Sequence, residues 1–269
     1  MSTQSTFIKR RMYRIFRDDG RSFVVAMDHG IGANVYPALG DPARVLEAVV
    51  AGGADAVLTT YGIARQFSHY LRSVGVILRV DGGNSELDGG SPEHRLLYSA
   101  EDALRLGADA IACMGFLGVP LEAQTLGNLA KLASECQTWS VPLMAEMLPG
   151  GFDNFDLHTA ENIRLAVRVG VELGADLIKT EFTGSAEGFR QVTENCYRPV
   201  LVLGGGKTDE RALFVTVKTA LDAGAAGVVV GRNIWGHSDP RAISTALNRI
   251  IHHNASVDEA LDLLASAKS

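Results

Sequence analysis

The chain has 269 residues, a formal net charge of −6 and 46% hydrophobic residues. That length suffices for one large α/β domain. Acids and bases are interspersed, and the lack of a basic block argues against nucleic acid or an anionic membrane as partner; an anionic ligand must be held by a local site. The stretch MSTQSTFIKRRMYRIFRDDG has no apolar core of signal-peptide length, and no run of about 18 apolar residues suggests a membrane helix. Cys113, Cys136 and Cys196 are widely spaced and form no CxxC pair, so they read as reduced thiols of a cytoplasmic protein.

In chain order, residues 4–18 are expected to form a short helix outside the main fold, with Ile8, Met12 and Phe16 on one face. An internal repeat follows. AGGADAVLTT (51–60), LGADAIACMG (106–115), LGADLIKTEF (173–182) and AGAAGVVVGR (223–232) each place small residues after an amphipathic stretch and before an apolar run. Glycine permits the left-handed turn that ends a helix, and the next residues enter a buried strand. Four further apolar runs alternate with these: FVVAMD (23–28), GVILRVD (75–81), VPLMAEM (141–147) and PVLVLGGG (199–206). Eight continuous apolar runs separated by helix-length segments specify parallel strands covered on both faces, closed as a (β/α)8 TIM barrel. MDHGIGAN is not a GxGxxG turn, which argues against an open dinucleotide-binding sheet. The expected organisation is one domain, with residues 1–20 as an extension, 21–250 as the barrel and 251–269 as a C-terminal helix. His252 and His253 are expected to be solvated on that last helix.

Barrel enzymes build their sites at the C-terminal strand ends. Those ends carry Asp28-His29, Thr60-Tyr61, Asp81, Cys113-Met114, Glu146, Lys179, Gly204-Gly205-Gly206-Lys207 and Gly231-Arg232. Lys179 is one of six lysines and follows Asp-Leu-Ile in the sixth run. An amine among barrel side chains loses hydration, which favours the neutral form that attacks a ketone to give an iminium; a snorkelling lysine or a buried ion pair is the plainer reading. Gly204–Gly206 with Lys207, and Gly231 with Arg232, fit phosphate binding by loop N–H groups and a bidentate guanidinium. Alternation points Asp28 and Glu146 inward, where they can pair with the amine or carry protons. Asp81, before the loop GGNSELDGG, suits hydrogen bonding at the rim, and the loop itself is a possible ligand cover. His29 reads as a rim histidine or a general acid. Only His29 and His237 stand near strand ends, too few for a zinc site, so neither metal nor other cofactor is expected.

AMDHG, GADLIKTEFTG, LVLGGGKT and GVVVGRNIWG resemble, in order over residues 20–250, the archaeal-type class I fructose-bisphosphate aldolase family. That family includes 2-amino-3,7-dideoxy-D-threo-hept-6-ulosonate synthase and 3-hydroxy-5-phosphonooxypentane-2,4-dione thiolase. The resemblance implies that Lys179 is the Schiff-base lysine, that Asp28 assists carbinolamine formation, and that Gly204–Gly206 and Gly231-Arg232 bind phosphate. It also implies a homo-oligomer, decamers being frequent. In the fifth run the fructose-bisphosphate enzymes carry Trp-x-Tyr-Pro-Arg-Gly with a proton-transferring Tyr. Here Glu146-Met147-Leu148-Pro149-Gly150-Gly151 puts Leu148 at that place. Glu146 stands where tagatose-bisphosphate-type class I aldolases place a catalytic Glu. The expected activity is therefore class I aldol chemistry on a phosphorylated ketose or keto-sugar phosphate, with Glu146 taking the proton from the hydroxyl beyond the scissile bond. The rival readings are Schiff-base acyl or aldehyde transfer, a phosphate-binding isomerase with a purely electrostatic Lys179, and a non-catalytic ligand-binding barrel.

Overall fold

Eight parallel strands close on themselves in the order β1-β10-β9-β8-β7-β6-β3-β2. The computed structural model describes residues 9–31, 36–83, 85, 87 and 93–267. The barrel strands are β1 (Ser22–Ala26), β2 (Ala56–Thr59), β3 (Gly75–Arg79), β6 (Ala110–Leu117), β7 (Leu143–Pro149), β8 (Leu177–Thr180), β9 (Val200–Leu203) and β10 (Gly227–Val230); β4 (Asp81–Gly83) and β5 (His94–Leu96) form a small antiparallel hairpin. Helices α1 (Pro42–Ala51), α2 (Tyr61–Gln66), α3 (Ser68–Leu71), α4 (Ala100–Leu106), α5 (Glu122–Trp139), α6 (Ala160–Glu172), α7 (Ala186–Glu194), α8 (Glu210–Asp222), α9 (Arg232–Trp235), α10 (Pro240–His253) and α11 (Val257–Ser266) complete the chain. Many helices start where the sequence offers a short oxygen. Asp41, Ser99, Thr159, Ser185, Asp209 and Asp239 each accept a backbone N–H of the first turn.

Side chains of alternate parity divide into two cores. Val25, Val57, Leu78, Ile111, Ile178 and Val230 face the helices, whereas Val24, Ala26, Leu58, Ile77, Ala112, Met144, Leu177, Leu201 and Val229 fill the barrel interior. The aspartates of the Gly-Ala-Asp repeat have a common task. Oδ2 of Asp55, Asp109 and Asp176 accepts the backbone N–H of Phe23, Val76 and Leu143, at 2.6, 3.0 and 2.9 Å. Each aspartate thereby fastens the turn before its own strand to a neighbouring one. The fourth copy has Ala226 instead, and there the carbonyl of Ala226 accepts from Ser22 at 2.9 Å.

Three expectations are corrected. The extension is not an α-helix beside the barrel. It makes one 3-10 turn, Arg10–Arg14, and Met12, Ile15 and Phe16 close the interior from the N-terminal end; Ile8 lies outside the described residues. Three of its basic residues meet the three repeat aspartates: Lys9 is 2.8 Å from Asp176, Arg14 is 3.8 Å from Asp109, and Arg17 bonds Asp55. His252 is not solvated, because its ring is buried between Asp19 and Asp55, at 2.7 and 2.8 Å; it sits on α10, and α11 follows. The stretch after Asp81 is not simply an open loop, since it enters the β4–β5 hairpin; most of GGNSELDGG lies outside the described residues. No helix among the described residues is long and apolar enough to cross a membrane.

Candidate active site

The register of the barrel brings Glu146 of β7 beside Lys179 of β8. Both point inward, having the same parity as Met144 and Leu177 of the interior core. Lys179 Nζ lies 2.7 Å from Glu146 Oε1, with side-chain exposures of only 8% and 6%. The other carboxyl oxygen of Glu146 accepts from Nη2 of Arg79. Arg79, the inward residue ending β3, also donates from Nε to Asp28 Oδ2 at 2.9 Å and from Nη1 to Asp81 Oδ1 at 3.4 Å. Asp28, Arg79, Asp81, Glu146 and Lys179 thus form one buried polar layer across the barrel mouth.

Electrostatics favour the charged forms of Arg79, Asp28 and Asp81 in this layer. Burial opposes charge on Arg79, but Glu146, Asp28 and Asp81 more than reverse it, and the guanidinium is held charged well above its usual range. Burial likewise works against ionised Asp28, and Arg79, followed by Lys179 and His29, outweighs it, leaving the carboxyl below the ordinary carboxylate range. Asp81 is also lowered: against its burial stand His94 at 2.8 Å, Arg79, and the Met114 N–H at 2.7 Å. Asp81 makes these hydrogen bonds inside the protein, from a buried strand position and not from a turn at the rim.

His29 sits edge-on against Tyr36 and Trp235, with ring centroids 5.7 and 5.2 Å away. Its Nδ1 is buried without a hydrogen-bond partner, 3.8 Å from Asp28 Oδ1. Burial, partly offset by Asp28, holds the ring below its usual pKa. The two glycine loops meet next to it. A Cβ on Gly231 would stand 2.6 Å from the His29 ring and 2.7 Å from the Ala26 carbonyl, so the backbone passes there only as glycine; Gly205 adopts a left-handed φ of 62°. Asn233 clamps the loops together, donating to Gly204 O and Gly206 O at 3.0 and 2.9 Å and accepting from Thr208 N at 2.9 Å. Arg232 reaches Gly205 O at 3.0 Å. Lys207 turns instead to Gly236 O, 3.1 Å away, and lines a cleft of about 320 Å³ with Thr208, Glu210 and His237.

Arg79, His94 and Asn233 were not singled out by sequence reasoning. The signal for Arg79 was available: a charged residue ending GVILRV repeats the pattern that marks Lys179 in DLIKTE. Leu148 points inward and is buried with Met114 and Phe116 in an apolar cluster, partly flanked by Leu203. Among the described residues no group of three or more His, Cys, Asp or Glu is arranged to hold a metal ion.

Comparison with known proteins gives the family of the chain. Residues 22–237 match the DeoC/LacD family aldolases. The chain is 35% identical over 251 residues to the 2-amino-3,7-dideoxy-D-threo-hept-6-ulosonate synthase of Halobacterium salinarum, covering 93% of this chain and 94% of that one. A synthase of the same name from Archaeoglobus fulgidus is 34% identical over 255 residues, covering 94% of each. Among solved structures, a Schiff base-forming fructose-1,6-bisphosphate aldolase superposes with a TM-score of 0.83 at 32% identity, over 90% of this chain and 98% of the other. An archaeal fructose-1,6-bisphosphate aldolase with its catalytic Lys covalently bound to the carbinolamine intermediate gives 0.82 at 31%, with the same coverage.

Proposed function

The chain belongs to the DeoC/LacD aldolase family and is a carbon–carbon lyase of the Schiff-base class, and from that premise we propose that Lys179 forms an imine with a phosphorylated ketose or keto-sugar phosphate. The observation that carries this reading is the Lys179–Glu146 contact inside the Arg79 layer. Glu146, 2.7 Å from the amine, accepts the ammonium proton and so frees the nucleophile. Attack on the carbonyl gives a carbinolamine, and the same carboxyl returns its proton to the departing hydroxyl. Asp28 stays ionised and assists this dehydration by stabilising the positive iminium. With both oxygens of Glu146 facing cations, its place is at the amine end of the reaction, not at the distant hydroxyl that the sequence suggests for it.

The loops at Gly204–Gly206 and Gly231-Arg232 hold the phosphate, with Arg232 as the charged contact and His29 against the loop wall; this fixes the reacting carbon near the amine. Lys207 supports the loop through Gly236. No metal or organic cofactor is needed, because the imine is itself the electron sink. The relatives named as heptulosonate synthases, together with the apolar Leu148 cluster, support a second reading in which the enamine passes to another acceptor. A cytoplasmic homo-oligomer fits the family resemblance and is tested by sedimentation.

The deciding experiment is borohydride trapping with dihydroxyacetone phosphate and a panel of ketose phosphates, followed by peptide mass spectrometry. A reduced adduct on Lys179, absent from a folded Lys179→Met variant, is expected. Turnover by Lys179→Met, or an adduct on another lysine, sinks the assignment.

A further inference from the structure

The two strands that supply Glu146 and Lys179 also lead to an acid–base pair that the imine steps leave unused. Glu181 follows Lys179 by two residues, just beyond the end of β8, and His158 lies on the connection between β7 and α6. Nδ1 of His158 is in direct contact with Oε2 of Glu181, and Nε2 lies 3.2 Å from the carbonyl oxygen of Gly151. A carbonyl oxygen only accepts, so Nε2 carries a hydrogen. Nδ1 then either carries a second hydrogen, facing a carboxylate, or accepts one from a protonated Glu181. In both cases one proton lies between ring and carboxyl. The His158 side chain is 10% exposed, whereas a quarter of the Glu181 side chain is open to solvent.

The other carboxyls of the mouth are differently placed. Asp28, Asp81 and Glu146 all bond Arg79, a permanent cation. Leu148, the inward residue of β7 beyond Glu146, carries no proton. Glu181 is paired instead with the imidazole of His158, which can both hold and release a proton and is not a permanent cation. It follows Lys179 by two residues, just past the C-terminal end of β8, the end of the barrel toward which a substrate bound through its carbonyl carbon extends away from the amine.

We infer that Glu181, proton-linked to His158, is the base for the outer half of the reaction. In cleavage its carboxylate takes the proton from the hydroxyl beyond the scissile bond; the C–C electrons move into the iminium, and an aldehyde and an enamine result. The protonated Glu181 then delivers that proton to the enamine carbon, restoring the carboxylate and leaving an iminium for hydrolysis. His158 is a positioning residue that acts through Glu181. This rests on the imine reading of Lys179.

The test compares wild type, Glu181→Gln, Glu181→Asp and His158→Gln, each shown folded by its melting midpoint. Dihydroxyacetone phosphate and fructose 1,6-bisphosphate serve as probes for borohydride trapping, and deuterium uptake from D2O at the hydroxymethyl carbon of dihydroxyacetone phosphate is followed by NMR. Glu181→Gln should keep the Lys179 adduct and lose exchange by roughly 100-fold or more. Glu181→Asp and His158→Gln should lose less, without changing the probe concentration that half-saturates trapping. Exchange at the wild-type rate in Glu181→Gln, or equal loss of adduct and exchange, overturns the inference while leaving the imine standing. No Lys179 adduct in wild type with either probe overturns the imine reading and this inference with it.

Discussion

Replacing Arg79 with Met removes the one cation that three buried carboxylates share. The consequences differ among them. Glu146 keeps Lys179 at 2.7 Å, and Asp81 keeps His94 and the Met114 N–H at 2.8 and 2.7 Å. Asp28 loses its guanidinium partner and keeps the attraction of Lys179 and of a histidine nitrogen 3.8 Å away. Breaking a buried ion pair by deleting one partner costs about 3–5 kcal/mol, and since two of the three acids retain other partners the lower end applies. At about 2–4 °C per kcal/mol for a large domain, the melting midpoint at pH 7 should fall by roughly 10 °C.

The pH dependence checks the cause. In wild type the carboxyls of Asp28 and Asp81 are lowered in the fold, so their contribution is present above the unfolded value of 3.8 and lost as pH falls through the folded one. Without Arg79, burial raises them, and the penalty is relieved as they take up protons in acid. The gap between wild type and Arg79→Met should therefore be widest at neutral pH and narrow toward pH 4. Differential scanning fluorimetry across that range measures it. A gap below about 1 kcal/mol, or one that stays constant with pH, would show that Arg79 does not neutralise this layer.

Two further outcomes follow from the mouth. Gly231→Ala forces a methyl group against the Ala26 carbonyl and the His29 ring; it should cost about 1–3 kcal/mol and weaken protection by inorganic phosphate in a melting assay, whereas Gly206→Ala, with nothing within 4 Å, should leave stability unchanged. His29 is held below its ordinary 6.5 in the fold, so in the interval beneath 6.5 the unfolded chain binds a proton that the folded chain refuses. Stability should fall with pH there, and His29→Phe should flatten the slope; equal slopes in denaturant titrations would refute the assignment.

The sequence disclosed the barrel because parallel strands covered on both faces must be continuously apolar, and because glycine turns recur at fixed places. It disclosed Lys179, Asp28 and Glu146 because a charge that ends an apolar run in a barrel has few places to go. Arg79 obeyed the same logic, but its partners lie 51, 2 and 67 residues away, and only strand register unites them. The His158–Glu181 pair joins two connecting segments, whose approach no periodicity encodes. The extension failed as a helix prediction for the opposite reason: its apolar spacing is helical, but tertiary contact with the barrel floor overrides local preference. His252 misled similarly, since exposure was inferred from a polar pair of histidines, while Asp19 and Asp55 come from the far end of the chain.

The extension also has a consequence for assembly. Lys9 finds Asp176 across 167 residues of chain, Arg14 finds Asp109, and Arg17 finds Asp55, so its anchors belong to three successive repeats of the growing barrel. Contacts of such sequence separation form slowly, because loop closure precedes their reward. A stretch synthesised before any strand must wait for repeats made much later, and its docking records that those repeats stand in their right places. Order of synthesis and order of completion run in opposite directions here: the part made before the barrel is among the last to come to rest.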